Sequence, residues 1–105
     1  LANDSSLDPL LRDTAKLRAA LARLDAGEAD AAKAALEPLA ASSPYRVSAR
    51  LALASLALSA KDYTTAGKRL EEVISDAEAP GADRQTAQTL LGLVASQAPR
   101  AAAKP

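Results

Sequence analysis

Apolar positions recur along this chain at spacings of three, four and seven residues, the rhythm of helices that bury one face. Leu10, Leu17, Leu21 and Leu24 mark a first helix from about Pro9 to Ala26, entered through Asp8-Pro9, a carboxylate cap followed by a proline in the first turn. Gly27 supplies its stop. A second helix runs from Glu28 to about Ala41 with Ala32, Leu36 and Leu39 on one face, until Ser42-Ser43-Pro44 ends it. Pro38 lies inside that helix, where it removes the bond to the Ala34 carbonyl and should bend the last turn.

Ser43-Pro44 opens a third helix, YRVSARLALASLALSA, over 45–60. Its Leu51, Leu53, Leu56 and Leu58 resemble alternating strand residues, but alanine is a poor strand former and the step from Leu53 to Leu56 breaks a period of two. Leucines around the whole helix predict contact on several sides and make it the expected most buried element. Lys61-Asp62 forms a turn into a fourth helix over 63–75, with Ala66, Leu70, Val73 and Ile74 inward. DAEAPG is a loop, and a fifth helix follows from about Ala82 to Gln97 with Ala87, Leu90, Leu91 and Val94 apolar. The ends, 1–7 and 98–105, are expected to be disordered.

Sliding the chain by 34 residues lays Leu17 on Leu51, Ala20 on Ala54, Leu24 on Leu58, Glu28 on Asp62, Ala32 on Ala66 and Leu36 on Leu70. Small residues then fall where paired helices cross, Ala20 with Ala32 and Ala54 with Ala66, while Leu36 and Leu70 fill the next layer. Thirty-four residues is the period of the tetratricopeptide repeat. The aromatic of that motif after the turn occurs only as Tyr63, and Lys16 and Arg50 replace the large aromatic of its first helix. The expected fold is all-α: a right-handed stack of two degenerate tetratricopeptide hairpins, about 13–46 and 47–80, closed by a capping helix over 82–97 in a single domain over 8–97.

Composition narrows the chemistry. The 105 residues suffice for one domain with a modest core, and 28 alanines against two aromatics imply thin, closely packed helices. Thirteen basic and thirteen acidic side chains cancel, so nothing draws nucleic acid or an anionic membrane, and two tyrosines make no stacking platform for bases. The absence of Cys and His excludes thiol chemistry, zinc sites of the Cys/His type and His-based triads. The acidic pairs Asp25/Glu28 and Glu71/Glu72 read as solvated charge. Isolated glycines at 27, 67, 81 and 92 form no phosphate loop, and Gly67 and Gly92 are expected to permit close helix approach. No catalytic, cofactor-binding or metal-ligating residue is assigned, and an enzyme acting through a lone carboxylate is a remote alternative. No apolar run of about 18 residues and no signal sequence occur. The chain starts at Leu1 and contains no Met, so any anchor is expected to lie outside it.

What remains is a surface. The first helices of each pair line one face of a repeat array, which here would display Thr14, Leu17, Leu21, Ser48, Leu51, Ser55, Arg84, Ala87 and Leu91. Leucine dominates where a carboxylate clamp would need Lys and Asn, so the face reads either as an apolar partner groove or as covered core.

The features LEPLA around Pro38, SPYR before the long apolar helix, KDYTTA at the turn, and the loop leading into DRQTAQTLL together span about 34–94. They resemble the C-terminal half of bacterial tetratricopeptide-repeat-like proteins related to the ancillary subunit of the SecYEG translocon. The resemblance implies a non-catalytic protein-interaction module at the periplasmic face of the inner membrane, with the translocon or a periplasmic chaperone as partner. Membrane attachment would come only through an N-terminal helix absent from this sequence. The alternative is a self-association module, a homodimer or a scaffold burying its apolar face against upstream repeats.

Overall fold

The computed structural model describes residues 8–103, and among these the chain is all-α, with helices α1 (Asp8–Asp25), α2 (Ala29–Ser42), α3 (Arg46–Ser59), α4 (Tyr63–Ser75) and α5 (Gly81–Ala103). The helix boundaries fall within a residue or two of those predicted, save at the end of α5. That helix continues past Gln97 as far as Ala103, so the expected disordered tail over 98–105 is corrected over its first six residues. Alanine is the strongest helix former, and an AAA run beyond Pro99 carries the helix on. The expected disorder over 1–7 and 104–105 lies outside the described residues.

The chain divides into two compact units between Ala49 and Arg50, within α3. In the first unit α1 packs on α2. Ala20, Ala32 and Leu36 are wholly buried, with Leu39 and Ala40 beside them in the sequence of α2 nearly so. In the second unit α4 packs on α5, and Ala54, Ala66, Leu70, Val73 and Ala87 are buried. Buried positions one period apart match: Ala20 with Ala54, Ala32 with Ala66, Leu36 with Leu70 and Leu39 with Val73. None of the four leucines of α3 is exposed, as their spread around the helix predicts, although Leu51 is half-buried and Leu53 is the deepest.

The turns repeat bond for bond. Gly27 N–H donates to Leu24 O at 3.1 Å and Glu28 N–H to Arg23 O at 2.9 Å; 34 residues on, Lys61 donates to Leu58 at 3.0 Å and Asp62 to Ala57 at 2.8 Å. Both are helix C-caps closed by a left-handed residue, Gly27 at φ 81° and Lys61 at φ 60°. The entries to the next helices differ. Asp62 accepts the Thr65 N–H at 3.2 Å, whereas Glu28, one methylene longer, makes no cap bond and instead meets Arg23 at 3.3 Å.

Gly67 and Gly92 behave differently from expectation. A methyl group on Gly67 would stand 3.8 Å from Val94 Cγ1 and 3.9 Å from Leu91 Cδ1, ordinary contact, and one on Gly92 would meet nothing within 4 Å. Neither glycine is therefore required for helix approach.

Candidate functional site

The predicted interaction face begins on α1, where Leu10, Thr14, Leu17 and Leu21 follow one another at steps of four, three and four and so share one stripe. Leu17 is half-buried, Leu21 is 38% exposed and Leu10 54%. Thr14 is committed elsewhere. Its hydroxyl donates to Leu10 O at 2.9 Å, so the 2.6 Å contact with Tyr45 must be donated by the tyrosine. The α2–α3 connection is tied to α1 a second time by Ser43, whose Oγ donates to Asp13 Oδ2 at 3.1 Å and accepts the Tyr45 N–H at 3.0 Å. Ser43 is extended, as the residue before a proline prefers, and that geometry turns its hydroxyl toward both partners. Ser48, on α3 in the same unit, is exposed.

Leu11 was not among the predicted face residues, yet it is the most exposed of the large apolar side chains at 59%. It lies on a second stripe of α1 with Ala15, Ala19 and Ala22, all exposed. A sequence signal for it existed: Leu10 and Leu11 are adjacent, about 100° apart around the helix, so one face cannot bury both. Three of the four exposed large hydrophobics among the described residues, Leu10, Leu11 and Leu21, are on α1; the fourth is Leu93 at 47%.

In the second unit Ser55 is exposed, Leu51, Arg84 and Leu91 are half-buried, and Ala87 has no exposed surface. Leu91 reaches the α4 backbone at Gly67, so it contributes to the packing of α5 on α4. Another face of α5, with Ala82, Gln85, Thr86, Thr89 and Leu90, borders an open depression of about 420 Å³.

The same unit holds a charged cluster. Arg50 places Nη1 3.4 Å from Asp76 Oδ2 and Nε 3.7 Å from Glu72 Oε1, while Arg69 approaches that Glu72 oxygen at 3.2 Å. Asp76 is the most enclosed member, with its side chain 9% exposed, and its other oxygen accepts the Glu78 N–H at 3.0 Å. Glu72 is therefore a member of an ion-pair network, a correction to its reading as solvated charge; Glu71 is exposed as expected. Every bond in the cluster fastens one part of the unit to another. Among the described residues no group of three His, Cys, Asp or Glu side chains is placed to hold a metal ion, no buried side-chain polar atom lacks a partner, and no helix is long and apolar enough to cross a membrane.

Helix hairpins with a repeated turn thus define the chain as an all-α protein whose most exposed apolar side chains gather on its first helix. No protein-family model, no curated protein and no solved structure matches the chain.

Proposed function

We propose that the chain is a non-catalytic protein-interaction module that engages its partner through α1. The observation that carries this reading is the gathering of Leu10, Leu11 and Leu21 on one helix while smaller side chains such as Ala20 and Ala32 are fully buried. Large apolar side chains left together in water cost free energy, at about 25 cal/mol per Å² of apolar surface, that a partner recovers. The predicted face residues Thr14, Leu17, Leu21 and Ser48 belong to this unit, and Leu51, Ser55, Arg84, Ala87 and Leu91 to the other. The tetratricopeptide kinship, the bacterial envelope, and the translocon or a periplasmic chaperone as partner are supported by the sequence resemblance over 34–94.

Self-association is the competing reading, since the same leucines would serve a second copy. Light scattering over a concentration series separates the two. A monomer at every concentration supports a different protein as partner, and a dimer that dissociates on dilution moves the assignment to self-association. A pulldown from envelope extract then compares the parent chain with the Leu10→Ser, Leu11→Ser, Leu21→Ser variant. Loss of one captured protein is the expected result; identical captures would overturn the role of α1.

A further inference from the structure

The internal repeat indicates what belongs on the Leu11 stripe. Two periods, 68 residues, carry Leu11 to Ala79, Ala19 to Ala87, Ala22 to Leu90 and Ala26 to Val94. On α1 the members Leu11, Ala15, Ala19 and Ala22 are exposed; near and on α5 their counterparts Ala79, Ala87 and Val94 are 4%, 0% and 6% exposed. The α5 stripe is packed against α4, where Val94 and Leu91 stand beside Gly67. One and the same repeat face is thus covered by an amphipathic helix on α5 and open on α1.

Shape and charge describe the missing occupant. Between α4 and α5 the small residue, Gly67, is on the covering helix and the larger ones, Leu91 and Val94, are on the covered one. On α1 the covered positions are alanines, so the incoming helix must supply the large aliphatic side chains. Lys16 and Arg18, both exposed, flank this alanine stripe on its two sides. Asp13 is turned to Ser43, and Asp25 is the last residue of the helix. Two copies meeting by this stripe would bring Lys16 and Arg18 of one against those of the other, which disfavours a homodimer seam. We infer that the Leu11, Ala15, Ala19, Ala22 stripe is a docking surface for a single amphipathic helix of a partner protein. That helix carries Leu or Val on its inner face and Glu or Asp beside it.

This inference rests on α1 being the interacting helix and names the partner's chemistry. The test uses the full chain, isotopically labelled, and two 18-residue helical peptides with leucine at positions i, i+4, i+7 and i+11, one flanked by Glu and one by Lys. The expected result is that the Glu-flanked peptide perturbs amide resonances centred on Leu11 to Ala22 and binds at least tenfold more tightly than the Lys-flanked one. Lys16→Glu with Arg18→Glu reverses that order, a change of roughly tenfold or more being what removal of two flanking charges produces. Both positions are exposed, and the helical signal of the double variant at 222 nm confirms that it folds. Equal binding of the two peptides at α1 overturns the acidic partner while keeping α1 as the interacting helix. Perturbations outside α1, no binding of either peptide, or a dimer formed by the chain itself overturns the docking surface altogether.

Discussion

Residue 61 holds a left-handed backbone that its side chain disfavours, and Gly27 one period earlier provides the internal reference. Both close the same pair of cap bonds, with φ 60° at Lys61 and φ 81° at Gly27. A non-glycine residue in that region costs about 1–2 kcal/mol. Glycine brings its own cost, about 0.5–1 kcal/mol of extra chain entropy lost on folding. Lys61→Gly should therefore stabilise the protein by about 0.5–1 kcal/mol, and Gly27→Ala should destabilise it by about as much. A methyl group on Gly27 meets nothing within 4 Å, so that second effect is backbone strain without a clash. Lys61→Ala is the control: it removes the charge and keeps the left-handed penalty, and should leave stability nearly unchanged. Urea unfolding followed at 222 nm reads all three. With m of about 1–2 kcal/mol/M, Lys61→Gly should raise the midpoint by about 0.5 M with m unaltered. A lowered midpoint for Lys61→Gly, or none lost for Gly27→Ala, would refute the equivalence of the two turns.

Gly67→Ala should stabilise by about 0.5–1 kcal/mol, because the added methyl finds Val94 and Leu91 at contact distance; a lowered melting temperature would show that α4 and α5 need the glycine. Arg50→Met should cost about 2–3 kcal/mol by stranding the enclosed Asp76 carboxylate, and adding Asp76→Asn should recover part of the loss. A double-mutant cycle with coupling below about 0.5 kcal/mol would reduce the cluster to surface charge. Pro38→Ala should stabilise by about 1–2 kcal/mol, since α2 continues to Ser42 past a residue that cannot donate to Ala34; marked destabilisation in the same urea assay would show that the proline is required.

The helices and their turns were legible because their signals are local. Leucine spacing, Gly27 and the Lys61-Asp62 turn act within a few residues, and the 34-residue shift compounds them. The cluster of Arg50, Glu72 and Asp76 was not legible, since charges on separate elements meet only after folding, and Glu71 and Glu72 look alike in sequence although one is exposed and the other paired. The end of α5 was missed because Pro99 signals a stop that the alanine run overrides. On the candidate face, Leu21 is exposed as read, whereas the half-burial of Leu17 and the burial of Ala87 depend on tertiary neighbours that no spacing encodes.

The repeats diverge as a set. Lys16 aligns with Arg50, Ala35 with Arg69, Pro38 with Glu72 and Ser42 with Asp76, each 34 residues apart. In the second repeat these four positions form one ion-pair cluster that turns the cation of the first helix inward. In the first repeat the two carboxylate positions are a proline and a serine, so the equivalent cation, Lys16, has no acid at either and stands exposed. Pro38 thus belongs to a coordinated difference: it occupies the place of a carboxylate, and without that carboxylate the first repeat cannot draw Lys16 inward. The charge that the second repeat uses to hold itself together is available on α1 to an acidic partner. If that reasoning is right, Pro38→Glu with Ser42→Asp should transplant the cluster, pull Lys16 toward α2, and weaken the Glu-flanked peptide about as much as Lys16→Glu alone. Unchanged peptide affinity in a folded variant would show that Lys16 takes no part in docking.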